Sequence, residues 1–183
     1  VPMMDMERVE VLRGTQSILF GKNSIAGAVS QITAKPTDEF EGSVIALYEP
    51  DHGEEDLRLV LSGPLTDNLS GRLALLTRDL DGYVKNAVNG QDEQQESEDV
   101  IRASLRWDIN EDVTADLKVS RSTFDVIGRN LEVYNSIGSP DHITVLNSLQ
   151  GFEVDAELNY IGDNNGHFSS NEVNNTTLSV NWD

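Results

Sequence analysis

Apolar and polar side chains alternate through much of this chain with a period of two. In Val100 to Ile109, the residues Ile101, Ala103, Leu105 and Trp107 share one face, while Arg102, Ser104 and Arg106 share the other. Between residues 113 and 120, Val113, Ala115, Leu117 and Val119 oppose Thr114, Asp116, Lys118 and Ser120. Near residue 180, Leu178, Val180 and Trp182 oppose Thr177, Ser179 and Asn181. Such alternation is that of a strand with one apolar face. It predicts strands near 40–48, 55–62, 69–83, 99–107, 113–124 and 172–182. The run 40–48 is less regular, because Ile45 and Leu47 fall opposite Val44 and Ala46.

The connections are uneven. Gly63 to Asn68 and Asp108 to Asp112 are short, Glu49 to Glu54 is intermediate, and the polar stretches 84–98 and 125–171 are long. Long loops without structure of their own are uncommon inside a compact soluble domain, whereas a membrane barrel has short turns at one rim and long loops at the other. If the run 40–48 points outward, Tyr48, Tyr83 and Phe124 stand at outer ends and Trp107 and Trp182 at inner ends beside short turns. Interfacial aromatics favour such levels, because one edge is apolar and the other wet.

The first 36 residues are organised differently. Glu7 to Arg13 alternates charged and apolar side chains and predicts a strand ended by Gly14. Thr15 is placed to cap a helical turn through Ser17 to Phe20, with Gly21 stopping it in a left-handed conformation. After Gly27 the run Ala28 to Thr33 predicts a second strand, broken by Lys35-Pro36.

Charge divides the chain at the same place. Residues 1–36 carry four basic and three acidic side chains, a net +1, and residues 37–183 carry nine basic and 29 acidic, a net −20, within a total of −19. So acidic a chain lacks the clustered Lys and Arg that phosphate neutralisation needs, which excludes nucleic acid as a partner. Hydrophobic residues make up 38% of the sequence, and no apolar stretch approaches the roughly 20 residues of a membrane-spanning helix. The alternating strands of a barrel are not excluded by that. With no cysteine there is neither a disulfide framework nor a thiolate metal site. The chain opens on Val1-Pro2 and alternation is still running at Trp182, so an internal piece of a longer protein is expected.

The run Glu7-Arg8-Val9-Glu10-Val11-Leu12-Arg13-Gly14-Thr15-Gln16-Ser17-Ile18-Leu19-Phe20-Gly21, followed by Gly27-Ala28-Val29 and Gln31 to Pro36, resembles the closing segment of the plug domain in TonB-dependent outer-membrane receptors. Many members carry Pro after the Leu-Arg-Gly; Thr15 departs from that, and a capping residue serves the same turn. The resemblance continues through Phe40-Glu41-Gly42-Ser43, Ser62-Gly63-Pro64-Leu65 and Asp79 to Tyr83, and covers residues 5–125. It implies a mainly β fold, with residues 1–36 as the end of a plug and residues 37–183 as about six antiparallel strands of a transmembrane β-barrel. It implies residence in the outer membrane of a Gram-negative bacterium, in contact with lipid. It further implies uptake of a scarce extracellular nutrient such as a ferric siderophore, with no cofactor and no catalysis. Energy would come from a TonB-type partner acting on a region outside this chain. Within the plug motif, Arg8 and Arg13 are the candidates to face barrel carboxylates, with Glu10 as a further polar contact, and Gly14, Gly21 and Gly27 are the candidates for its turns; the competing possibility is that Arg8 and Glu10 lie on a solvated side.

Other patterns carry less. Gly14 to Ser24 contains Gly-Lys after a strand, but six residues separate the glycines and Asn23 follows Lys22, which is not phosphate-loop spacing. His52, His142 and His167 are too far apart for a zinc helix, and Asp163 to Gly166 would put Ile161 where a calcium loop needs a carboxylate. The acidic clusters at 51–56 and 92–99 read as hydrated loops rather than cation sites bridging lipopolysaccharide. No catalytic constellation is placed by spacing. The rival fold is an acidic secreted or periplasmic β-sandwich that binds a partner or a glycan, with its apolar faces buried against a second layer.

Overall fold

The computed structural model describes residues 3–14, 27–86, 90, 92–128, 160–161 and 168–182. All regular structure among them is strand. The elements are β1 (Met6–Arg13), β2 (Gly27–Thr33), β3 (Glu41–Glu49), β4 (Glu54–Thr66), β5 (Leu69–Leu80), β6 (Val84–Asn86), β7 (Asp92–Glu93), β8 (Gln95–Asn110), β9 (Val113–Ile127), β10 (Tyr160–Ile161) and β11 (Phe168–Trp182). β1 and β2 form an antiparallel pair, β10, β6 and β7 a small sheet, and the rest a six-stranded antiparallel sheet in the order β11-β9-β8-β5-β4-β3. The helical turn expected at Ser17 to Phe20 lies outside the described residues.

The strands run further than alternation predicted. β4 continues through Gly63-Pro64-Leu65-Thr66, with Pro64 in register with Ser70, and the turn shrinks to Asp67-Asn68. Proline is tolerated here because β3 stops pairing at Ser62, which leaves one side of the ladder open. β8 likewise runs to Asn110, whose side-chain oxygen accepts from the amide of Asp112 at 3.0 Å and closes a tight turn. At the opposite end the expected loop 84–98 contains β6, β7 and the start of β8, so much of it is strand. Of the expected loop 125–171, the described portions are strand ends and the short β10, which pairs with β6.

The register gathers the alternating residues onto two unlike faces. One face is apolar across every strand, from Val44, Ala46 and Tyr48 on β3 to Leu178, Val180 and Trp182 on β11. It is open: Leu178 is 67% and Trp182 82% exposed. The limit of this band is not level. Tyr48 stands opposite Glu55, whereas Leu178, traced through Leu117, Leu105 and Gly71, stands level with Gly63. Strands tilted with respect to a band of constant height produce such a descent.

The other face is polar and lined with arginines. Arg78 donates to Glu54 at 2.7 Å and to Glu96 at 2.8 Å, and so ties β4, β5 and β8 together, while Arg58 forks onto Asp56 within β4. The small apolar cluster of Ala74, Leu76 and Val100, with Val60 beside it, also lies on this face and is covered by Met4. A β-sandwich would bury the apolar face under a second layer. Here the segment that packs on the sheet lies on the polar face, and the apolar one stays uncovered among the described residues.

Candidate functional site

The N-terminal segment reaches the sheet at a narrow neck. Asp5 precedes β1 with a φ of +52°, a left-handed conformation that Asp tolerates better than most residues. That bend brings both of its oxygens to Arg72 on β5, whose Nε donates at 2.9 Å and Nη2 at 2.6 Å. Forked pairing of this kind is among the strongest side-chain contacts because geometry and charge agree. The Nη1 of the same guanidinium donates to Glu41 at the start of β3, 2.6 Å away. Arg72 therefore holds the chain on both sides of the β1–β2 unit.

Neighbouring contacts reinforce the neck. The carbonyl of Met4 accepts from Nη1 of Arg102 at 2.9 Å, and Arg102 is only 5% exposed. The Asp5 carbonyl accepts from the amide of Ala34 at 3.0 Å, which closes the base of the β1–β2 pair. Lys118 on β9 donates to the Thr33 hydroxyl at 3.2 Å, and Thr37 bonds to the buried Ser62 through both its amide and its hydroxyl. Apart from Met4, the contact is polar.

The residues singled out from the motif lie further along the same unit. Arg8 is half-exposed, and its Nε donates to Glu10 on its own strand at 2.7 Å, with Glu7 as a second partner. Its hydrogen bond to Glu10 holds the guanidinium still more firmly protonated than usual. Arg13 ends β1 opposite Gly27. Gly14 has a φ of +82° with open space around it, and Gly27 a φ of +141° with the Leu12 carbonyl against it. Gly21 lies outside the described residues.

Sequence reasoning missed Asp5, Arg72, Arg102 and Lys118. The three cations sit at polar-face positions of alternating strands, so their side was predictable. Their partners were not, because those come from a segment far away in sequence. Of the aromatics expected at strand ends, Tyr48, Trp107 and Trp182 lie on the apolar face, Trp107 level, through Ala115, with Val180, two residues from Trp182. Phe124 instead faces the polar side opposite Glu98, where it lines an open groove with Val100, Arg102, Ser120, Ser122 and Asn175. Tyr83 meets His52 edge-on, with ring centroids 5.2 Å apart. No described group of three His, Cys, Asp or Glu is arranged to hold a metal, and no described helix is long and apolar enough to cross a membrane.

No family model matches the sequence. Among curated proteins, the chain is 38% identical over 77 residues to the ferric enterobactin receptor PirA of Pseudomonas aeruginosa, covering 39% of this chain and 10% of that protein. It is 40% identical over 78 residues to the ferrienterobactin receptor of Escherichia coli, covering 40% of this chain and 10% of that protein. The solved ferric yersiniabactin uptake receptor FyuA of Yersinia pestis superposes with a TM-score of 0.63 at 25% identity, over 67% of this chain and 20% of that one. The siderophore receptor PirA of Acinetobacter baumannii does so at 0.57 and 26%, over 81% of this chain and 22% of that one. The chain is a homologue of the TonB-dependent outer-membrane receptors. The matched segment spans about a tenth of the length of these curated relatives. The all-strand architecture agrees with that kinship.

Proposed function

We propose that residues 1–36 close the plug, and residues 37–183 begin the barrel, of a TonB-dependent receptor that takes up a ferric siderophore across the outer membrane. The observation that carries this reading is the pairing of two unlike faces. An uncovered apolar band descends diagonally from Tyr48 to Leu178, as lipid-facing residues of tilted strands do. On the opposite face, the N-terminal unit docks through Asp5, Arg72, Arg102 and Lys118. A wide barrel leaks unless its lumen is filled, and a filling that must later shift is better held by polar contacts than by a dry core.

The curated relatives are named for ferric enterobactin, ferrioxamine B and ferripyoverdine, which supports an iron chelate as the cargo class. An energy-transducing partner of the TonB type would engage the receptor elsewhere in its chain. Arg8 and Arg13 would meet carboxylates supplied by the rest of the lumen. The free edges of β3 and β11 would pair with further barrel strands, since unpaired backbone groups are not tolerated in lipid. Expression of the full-length receptor in an iron-starved strain lacking its own receptors tests the reading. Growth on one of these chelates, dependent on the energy-transducing partner, is expected. Recovery of the protein in the soluble periplasmic fraction would overturn it.

A further inference from the structure

The neck contacts are distributed unevenly. Arg72 grips Asp5, just before β1, and Glu41, where β3 begins, with one guanidinium. Between those points the β1–β2 pair has its own ladder from Met6–Thr33 to Arg13–Gly27 and its own charge pairs from Arg8 to Glu7 and Glu10. Its outward side chains, including Val9, Val11 and Val29, are exposed among the described residues. The pair is thus internally complete and fastened to the sheet mainly at its base.

We infer that Arg72 is the positioning residue of a two-ended clasp, and that β1–β2 is held and released as one intact body pivoting at this neck. The inference rests on the plug-and-barrel reading given above. Arg72 suits the task because its planar fork addresses two carboxylates at once, from Nε and Nη2 to Asp5 and from Nη1 to Glu41. Asp5 suits it because the residue also closes the base of the pair through Ala34, so that holding Asp5 holds the whole unit. Arg102 adds a second grip one residue upstream, on the Met4 carbonyl. The clasp is ionic, with Arg72 and Asp5 nearly buried and Glu41 half-exposed, so a pull on the preceding chain opens it without dismantling the β1–β2 ladder.

Two measurements on the full-length receptor test this, and neither needs the ligand. The first is vancomycin sensitivity of cells carrying Asp5→Asn, Arg72→Gln or both, at matched receptor levels in the outer membrane. Each single change is expected to raise sensitivity several-fold, and the double change is expected to be no leakier than Arg72→Gln alone. Sensitivity unchanged from the parent, or effects that simply add, would overturn the clasp. The second is hydrogen exchange of purified Asp5→Asn receptor. Amides at residues 3–5 are expected to exchange faster, while those of residues 8–12 and 28–32 keep their protection. Exchange that rises equally throughout β1 and β2 would show the pair unzipping, and the one-body inference would fail. Failure of the receptor to import a catecholate or hydroxamate ferric chelate would count against the transport reading, and leaves both outcomes decidable.

Discussion

Gly27 faces Leu12 so closely across the β1–β2 pair that a Cβ on the glycine would fall 2.4 Å from the Leu12 carbonyl oxygen. The backbone oxygen cannot swing away without breaking the ladder, and the φ of +141° is itself one that side-chain-bearing residues avoid. Gly27→Ala should therefore lower the apparent unfolding temperature of the full-length receptor, by strain on the order of 1–3 kcal/mol. Gly14 is the internal control, because its φ is +82° but nothing lies within 4 Å. Gly14→Asn should be nearly silent, since Asn tolerates the left-handed region. Equal effects at the two positions, followed by heat modifiability in gels, would remove the steric account.

The two faces of the sheet should respond oppositely to charge. Leu117 lies within the apolar band, in register with Leu105 and Leu178. Leu117→Lys would place an ammonium in hydrocarbon, a cost that reaches about 2–4 kcal/mol at the midplane of a transmembrane barrel and falls toward its rims. Ser179, next to Leu178 but on the polar face of β11 and opposite Asp116, should accept Lys at little cost. The measurement is the folded, heat-modifiable fraction recovered after refolding each full-length variant into lipid vesicles. Comparable recovery of both would contradict a lipid-facing band.

Much of this architecture was legible beforehand, and the pattern of misses is physical. Alternation set the face of Ile101, Leu105 and Trp107 correctly, because a period of two fixes side once a strand exists. It set strand ends poorly. Pro64 and Asp108 look like turn residues, yet a missing partner strand or an adjacent Asx turn lets the ladder run past them. Alternation also could not tell Phe124 that its strand position points to the polar face, because an aromatic at that level suits either side. The neck was illegible for another reason. Asp5 and Arg72 are 67 residues apart, and a one-dimensional pattern places each on a side without matching the two.

Arg102 is buried deeply enough that its loss should be felt. Removing the guanidinium with Arg102→Ala leaves the Met4 carbonyl without its donor, at a cost of about 1–3 kcal/mol for a buried unsatisfied group. Met4→Ala should cost about 2–5 kcal/mol, because Met4 is buried and packed with Ala74, Leu76 and Val100. The two changes remove different contacts of one residue, since Met4→Ala keeps the carbonyl that Arg102 holds, but both loosen the same short segment, so the double variant should be less harmful than the sum. Limited proteolysis near residue 4 in the full-length receptor follows the loosening directly. Cleavage rates that match the parent in both single variants would show that this grip does not hold the segment.

Arg78 offers a test of electrostatics away from the neck. Glu54 and Glu96 are both in register with Leu80, and Arg78 reaches one from Nε and the other from Nη1. Arg78→Ala leaves two carboxylates facing each other across β5 with their bridging cation gone. The site is about a quarter exposed, so solvent screening limits the loss to about 1 kcal/mol. Arg78→Lys keeps the charge but not the fork, and should recover part of the stability. The loss should also shrink at about 1 M salt, where the Debye length falls to about 3 Å. Apparent unfolding temperatures of parent, Arg78→Ala and Arg78→Lys at low and high salt separate the possibilities: a deficit that ignores ionic strength and is not eased by Lys would mean that Arg78 acts by packing its stem along the strands instead of by its charge.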